Sequence, residues 1–336
     1  MASISDIARI AGVSIATVSN VLNERGRFSD ATRERVLRIA REQGYIASAS
    51  LRGRASQRIH TVGIITPDVS NDYFSTIVLT IEYAMYQQGY SSFICNTAYD
   101  EERTTDRLRE LTQRNVDGFF FVGCEVMGDI GIVGTTPCAL IGHNVSAWPQ
   151  RYFLTKSDMA EIVMDQACLL FGRGCRRIAL LALTDADDAT ERDPIFSGYR
   201  RFLDESGIDF DQSLLFVGRH ELGSRADART IVSKALERGI AFDGIAAVGD
   251  RLALGACEAL LAREVDVGNA VKVVGMDDSL YSQLGIGGIS TVERHPEMMA
   301  HAAVGAMLTM LQGKNPTERE VIIPHGIIER ATTLGA

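Results

Sequence analysis

The residues best suited to chemistry in this sequence are small polar side chains between positions 14 and 32. The amide of Asn20 can pair with adenine N6 and N7, and Ala16 can contact a thymine methyl group. Short hydroxyl side chains can bond phosphates without long flexible stems, and five are present: Ser14, Thr17, Ser19, Ser29 and Thr32. Each hydroxyl can alternatively cap a helix, so its role depends on the elements that carry it.

Three short helices are predicted around these residues. Apolar residues at helical spacing precede Gly12, which is a natural stop for the first helix. Ser14 is placed to cap a second helix, in which Ala16 and Asn20 lie opposite the apolar stripe. A third helix is predicted from residue 29 to residue 44. Two short helices joined by a tight turn and closed by a third form a helix-turn-helix, and the small, uncharged outer face of the second suits a major groove.

Charge is distributed unevenly along the 336 residues, whose net charge is −9. Residues 1–58 contain ten arginines, no lysine and five acidic residues, which gives +5 and leaves −14 for the remainder. A basic module on an acidic body favours binding of a polyanion by the module. Ion pairs along one helix account for part of the arginine content, because Glu34, Arg38 and Glu42 follow one another at i,i+4 spacing.

Several classes of protein are disfavoured by what the sequence lacks. No run of 18 uncharged apolar residues is present, so no membrane span is expected, and the absence of an apolar signal core predicts a cytoplasmic protein. The six cysteines form no CxxC pair and are expected to be reduced. The sequence has no P-loop, no GxSxG elbow and no dinucleotide fingerprint, and its six histidines lack metal-ligand spacing. We therefore predict no enzyme, no catalytic residue, no metal and no cofactor.

From residue 60 onward, buried strand runs alternate with amphipathic helices. The strand runs are TVGIIT (61–66), SSFICN (91–96), GFFFVG (118–123), CALIG (138–142), RIALLAL (177–183), GIAAVG (244–249) and VKVVGM (271–276). This alternation predicts parallel sheets covered by helices on both faces. The length and the restart of the pattern near Arg176 favour two sheets.

Ligands of such sheets bind at the carboxyl ends of the strands. The candidate effector residues there are Asp68, Tyr73, Phe74, Cys124, His143, Asp250 and Asp277. Tyr73 and Phe74 can stack on a ring or pack the start of a helix. Asp277 can accept hydrogen bonds from a sugar or a base, and Asp250 and Asp277 can alternatively be turn or hinge residues.

Residues 4–45 resemble the DNA-binding domain of the LacI/GalR family of bacterial transcription regulators. The match is ungapped and includes the specific signature AGVSxxTVSxVLN. The resemblance implies that Ile15, Ala16 and Asn20 read bases and that a further set positions the DNA backbone: Ser14, Thr17, Ser19, Asn23, Ser29, Thr32 and Tyr45. It also places Arg27 where the family often makes another groove or phosphate contact.

The resemblance continues through the body in PDVSNDYF (67–74), GCRRIALL (174–181), GYRRFL (198–203), GDRLALGA (249–256), VVGMDD (273–278) and ISTVERHP (289–296). It implies an N-terminal all-α helix-turn-helix domain plus an α/β periplasmic-binding-protein-like core of two Rossmann-like subdomains around an effector cleft. The expected domains are 1–46 for DNA binding, 47–59 for the hinge and 60–336 for the core. The N-subdomain is expected at about 60–157 and 292–321, and the C-subdomain at about 158–291 and 322–336.

The linker departs from the family pattern. Ala47 and Ser48 replace the usual Pro-Asn pair, and Arg54 stands at the position of the leucine that enters the minor groove. On DNA, either Leu51 serves as the wedge in a shifted hinge helix, or Arg52 and Arg54 insert instead. Off DNA, we expect a disordered basic linker.

The effector positions also depart from the family. Ile195 stands where relatives carry a ligand-gripping arginine, and Arg192 is the nearest substitute. The usual amides are also replaced, by Met159 and Gly249. Fewer donors and acceptors predict an effector that is less polar, bound by different groups, or absent.

The sequence therefore predicts a transcriptional regulator, most simply a repressor, that binds a pseudo-palindromic double-stranded DNA operator as a homodimer and responds to a small-molecule effector. The alternative is a DNA-binding regulator or architectural protein with a ligand-independent cleft. A transporter's solute-binding protein shares the body fold, but the helix-turn-helix module argues against it.

Overall fold

The computed structural model describes residues 4–22, 28–42, 59–123, 130–142, 149–183, 193–218, 225–284 and 287–335. They form an N-terminal helical unit and an α/β core with two sheets. In the described residues, no helix combines the length and apolar content needed to cross a membrane.

The helical unit consists of α1 (Ile4–Ala11), α2 (Ile15–Leu22) and α3 (Asp30–Glu42). Its core contains Ile7, Val18, Val36 and other residues of all three helices, so each helix buries one apolar stripe. The predicted stop at Gly12 and the predicted cap at Ser14 are confirmed by the helix bounds. These local signals are sufficient to place the outer face of α2 without reference to the rest of the chain.

The first sheet lies between residues 61 and 156, with one strand added from the C-terminal region. Its elements are β1 (Thr61–Thr66), α4 (Asp72–Gln87), β2 (Ser91–Asn96), α5 (Glu101–Gln113), β3 (Gly118–Val122), β4 (Cys138–Ile141), β5 (Tyr152–Lys156), α11 (Pro296–Leu311) and β11 (Glu320–Ile322). The strand order β11-β5-β4-β3-β1-β2 is parallel throughout. Helices α4 and α11 cover one face, and α5 covers the other.

The second sheet repeats this architecture. Its elements are α6 (Met159–Gly172), β6 (Ile178–Leu183), α7 (Pro194–Ser206), β7 (Leu215–Gly218), α8 (Arg225–Glu237), β8 (Gly244–Ala247), α9 (Asp250–Leu261), β9 (Lys272–Met276), α10 (Leu280–Gln283), β10 (Ser290–Glu293), β12 (Gly326–Ile328) and α12 (Ala331–Leu334). The strand order is β12-β10-β9-β8-β6-β7, in which only β12 runs antiparallel to its described neighbour.

The chain passes between the two sheets three times, after β5, after β10 and after β11. All seven predicted strand runs are strands in the structure, whereas β5, β7, β10, β11 and β12 were not predicted. The missed strands contain polar or partly exposed residues, so they lack the continuous apolar run that marks β4 and β8, which are equally short.

Candidate nucleic-acid interface and intersubdomain cavity

The outer face of α2 presents the residues that sequence analysis assigned to base reading. Ile15 is 51% exposed, and Ala16 and Asn20 are also exposed. Val18 and Val21, on the opposite face, are buried in the helical core. The helix therefore offers an uncharged surface with one amide, which is the chemistry required at the edge of an A·T base pair.

The hydroxyl residues of this unit form two caps. Ser14 Oγ accepts from Thr17 N at 3.0 Å, and Ser29 Oγ accepts from Thr32 N at 3.2 Å. Ser19 is half-buried on the flank of α2. Capping and phosphate contact are compatible, because a helix N-terminus directs backbone N–H groups and positive partial charge outward.

Nine predicted site residues lie outside the described residues. They are Asn23, Arg27, Tyr45, Leu51, Arg52 and Arg54 for DNA, and Cys124, His143 and Arg192 for the effector. Their roles, and the choice between Leu51 and Arg54 as the minor-groove wedge, stay predictions.

A cavity of about 190 Å³ lies between the two sheets of the core. Tyr73, Phe74 and Tyr99 line it from the first subdomain. Ile195, Asp277 and Tyr281 line it from the second subdomain, and Arg294 lines it from the crossover after β10. A ligand in this cavity would contact both subdomains and would therefore favour one relative arrangement of the two.

Asp277, Arg294 and Tyr73 form a connected group at the cavity wall. Arg294 Nη1 donates to Asp277 Oδ1 at 2.9 Å, and its guanidinium lies 4.1 Å from the centre of the Tyr73 ring. Burial raises the pKa of Asp277 to about 6 although Arg294 opposes the rise, and burial raises the pKa of Tyr73 to about 12. Arg294 thus joins a second-subdomain carboxylate to a first-subdomain ring.

The backbone at Asp277 is strained. Its φ is +107° and that of Asp278 is +48°, both in the region that favours glycine. Neighbouring groups hold this turn: Asp277 N donates to Val292 O at 2.7 Å, and Asp278 accepts from Arg330 at 2.6 Å. Strain of this kind costs about 1–3 kcal/mol and concentrates at functional sites, where it fixes the direction of a side chain.

Asp250 lies behind the cavity wall and is only 1% exposed. Its carboxylate accepts from Thr291 Oγ1 at 2.6 Å, from Ser279 N at 2.7 Å and from Ser279 Oγ at 3.0 Å. Burial and the charge of Asp277 raise the pKa of Asp250 to about 8, against these hydrogen bonds. The structure therefore places Asp250 in a support for the turn that carries Ser279, without direct access to the cavity.

Replacing Asp250 by asparagine is expected to remove a pH-dependent loss of stability. Because its pKa is raised above the unfolded value of about 3.9, the folded protein retains a proton that the unfolded chain has released, so stability falls as pH rises from about 4 to about 8. Asp250→Asn imitates the protonated acid and should be about 1–2 kcal/mol more stable than the parent at pH 8.5, with little difference near pH 4. Urea unfolding across this range measures the effect.

Asp211→Asn is a suitable control for that experiment. Hydrogen bonds from Ser213 and Arg177 lower the pKa of Asp211, which is a surface residue. Asp211 is ionised in both states over most of this range, so its variant should change stability by a constant amount. If the stability difference between Asp250→Asn and the parent is also constant across this pH range, Asp250 does not retain a proton in the folded protein.

A second contact between the subdomains joins Asp68 to Arg251. Asp68 follows β1, Arg251 lies in α9, and Arg251 Nη1 donates to Asp68 Oδ2 at 3.2 Å. Arg251 lines the cavity, while Asp68 stands behind it and also accepts from Ser70 N and Oγ. Opening of the cleft would separate this pair.

Gly123 positions the Phe74 ring. Its φ of +65° and the closeness of Phe74 leave no room for a Cβ atom. We expect Gly123→Ala to lower stability by about 1–3 kcal/mol and to displace the ring from the cavity edge. Thermal unfolding measures the loss, with Gly134→Ala as the control, since Gly134 also has positive φ but open space around it. Equal losses in the two variants would show that the ring contact adds nothing.

The structure brings Tyr73, Phe74 and Asp277 to the cavity and leaves Asp68 and Asp250 behind its wall. Sequence reasoning missed Tyr99, Arg251, Tyr281 and Arg294 as lining residues. Arg251 and Arg294 occur in GDRLALGA and ISTVERHP, which sequence analysis used only as family markers. Arg251 lies in the first turn of the helix after β8, and Arg294 directly follows β10, a strand that the sequence did not predict.

The fold and these two sites define a class of protein: a helix-turn-helix regulator with a periplasmic-binding-protein-like core. The model of bacterial regulatory proteins of the lacI family matches residues 3–48, and that of the periplasmic binding protein-like domain matches residues 168–333. The chain therefore carries a lacI-family helix-turn-helix domain and a periplasmic-binding-protein-like domain, as the sequence resemblance predicted.

Curated relatives match over almost the entire chain. It is 28% identical to the HTH-type transcriptional regulator RegA of Clostridium saccharobutylicum, with 99% of each chain covered. It is 27% identical to the regulator DegA of Bacillus subtilis, with 98% of each covered, and 27% identical to the transcriptional repressor PurR of Vibrio atlanticus, with 99% of this chain and 98% of the other covered. These relatives are transcriptional regulators, not enzymes.

Two solved structures show the same fold. A complex of the transcriptional regulator CelR with cellobiose superposes with a TM-score of 0.72 at 21% identity, covering 99% of this chain and 100% of the other. The structure of the Lac repressor dimer bound to operator and the anti-inducer ONPF superposes with a TM-score of 0.69 at 22% identity, covering 99% of each chain.

Proposed function

We propose that this protein is a repressor that binds a pseudo-palindromic operator as a homodimer and that a small molecule in the intersubdomain cavity modulates the binding. The observation that carries the proposal is the exposed, uncharged face of α2 with Asn20 at its centre. A face of this kind gains little from solvent and can approach base edges closely. The site of action is then the bacterial nucleoid, in the cytoplasm.

A homodimer is supported by an apolar stripe on α4. Leu79, Tyr83 and Tyr86 are spaced by four and three residues, and each is more than 60% exposed. Ile94 is 45% exposed, and it pairs in register with Ile64 on the sheet face that α4 covers. A contiguous exposed apolar patch is typical of an interface. A second copy fits it best, because one helix-turn-helix provides too little contact for specific affinity and two half-sites combine.

Modulation by a ligand is supported by the contacts that cross the cavity. The Asp68–Arg251 pair and the Arg294–Tyr73 contact both depend on the relative position of the subdomains. A ligand that favours one arrangement would dock or splay the hinge segments near residues 47–56. A coupling free energy of about 1–3 kcal/mol is typical of such regulation.

The second candidate is a DNA-binding protein whose core ignores ligands. The small volume of the cavity and the internal pairing of its polar groups favour this candidate. It predicts DNA binding that no metabolite changes.

Selection of bound sequences from a random DNA pool tests both candidates. The full-length protein is used near physiological salt, with and without a metabolite mixture. We expect an enriched palindrome and a change of enrichment with the mixture. An enriched palindrome that never changes supports the ligand-independent candidate, and salt-sensitive binding without enrichment contradicts sequence-specific recognition.

A further inference from the structure

Most polar groups at the cavity already have internal partners. Asn71 caps α4 through its side chain, Ser279 Oγ donates to Asp250, and Arg251 is paired with Asp68. A sugar is recognised through several hydroxyl groups, each of which needs a donor or an acceptor in the site. The remaining capacity is too small for that mode of binding.

Arg294 differs from these groups because it also has a buried donor without a partner among the described residues. Its side chain is 13% exposed, and its one hydrogen bond to an acid runs from Nη1 to Asp277 Oδ1. Its Nε is buried without a hydrogen-bond partner in the described structure. A guanidinium carries five N–H donors in a planar fork, and a carboxylate satisfies two of them at once. Asp277 uses only Nη1, so the guanidinium keeps donors that can bind the carboxylate of a ligand.

The other lining residues limit the body of the ligand. Phe74, Ile195, Val248 and Leu252 are apolar, and the Tyr73 ring lies beneath the guanidinium. The volume of about 190 Å³ is below the roughly 300 Å³ at which ordinary ligand pockets begin. A compact, flat and largely apolar body fits these walls.

We propose that the cavity binds a small flat monocarboxylic acid, of the size and shape of benzoate, through the guanidinium of Arg294. This inference rests on the proposed effector function and specifies its ligand class. In this mode the negative charges of Asp277 and Asp72, both at the cavity lining, repel the carboxylate of the ligand. Removing the charge of Asp277 should therefore strengthen binding in this mode. It should weaken binding of a ligand recognised through a hydroxyl or an ammonium group, because these carboxylates would attract such a ligand.

The first test is calorimetric titration of the full-length protein with four probes near neutral pH. They are benzoate, its neutral isostere benzamide, its cationic counterpart benzylamine, and glucose. We expect benzoate to bind at least about tenfold more tightly than each of the others. Tighter binding of benzamide, benzylamine or glucose than of benzoate would overturn the proposal that the ligand is a carboxylic acid. Absence of benzoate binding would overturn it as well. None of these results affects operator selection, which tests the proposed function separately.

Variants supply the decisive comparison. Arg294→Gln should weaken benzoate binding about 30-fold or more, whereas Asp277→Asn should tighten it about tenfold. Arg294→Gln alone leaves the buried Asp277 carboxylate unpaired and can therefore disturb the fold. The double variant Asp277→Asn/Arg294→Gln has a neutral pair at these positions, so its loss of benzoate binding would reflect the missing positive charge. Arg173→Gln removes an exposed guanidinium outside the cavity lining and is the control. Weaker benzoate binding by Asp277→Asn would overturn the proposal.

Discussion

Replacing Leu79 and Tyr83 together by glutamate is expected to convert the protein into a monomer and to lower its operator affinity about 100-fold or more. Both side chains are over 60% exposed on α4, while Ile77 and Ile81 of the same helix are buried. The substitutions therefore leave the core intact and place four negative charges across the proposed two-fold contact. Affinity falls because the second half-site is no longer bound within the same complex.

Sedimentation velocity and fluorescence anisotropy with the selected operator measure the two effects. Leu261→Glu is the matched control, because Leu261 is 46% exposed at the end of α9 and lies outside the stripe. The control should remain dimeric with unchanged affinity. A dimeric double variant with parental affinity would show that this face is not the contact between protomers.

Replacing Asn20 by alanine is expected to cost about 1–3 kcal/mol of operator binding and to relax base preference at one position of each half-site. The side chain is exposed at the outer face of α2, and its loss removes a donor and an acceptor without opening a cavity. Random-pool selection with the variant gives the preference at every position, and anisotropy gives the affinity.

Ser19→Ala is the comparison for Asn20→Ala. Ser19 lies one residue away on the flank of α2, and its proposed partner is a phosphate. Its variant should weaken binding to all sequences by a similar factor and leave the base preference unchanged. If Asn20→Ala behaves in the same way, Asn20 does not read a base.

The described part of the DNA-binding unit and seven strands could be predicted because their signals are local. Gly12 and Ser14 act within one turn of the helices that they bound, and the stripe through Val18 specifies which face of α2 is buried. Runs such as GFFFV at β3 are apolar throughout because both faces of a parallel strand are covered. Short strands such as β11 and β12 were missed since three partly exposed residues carry little pattern.

The sequence by itself therefore determined the fold class, the helical unit with its exposed face, and the strand ends at which Tyr73, Phe74 and Asp277 were expected near a ligand. Only the tertiary structure decided how the cavity charges are paired. The Asp68–Arg251 pair spans 183 residues of sequence, and the ring of Tyr73 meets Arg294 from the other end of the core. Such contacts depend on how two sheets face each other, and no local period encodes that arrangement. For the same reason, the positions of predicted strand ends could not show that Arg294 pairs with Asp277.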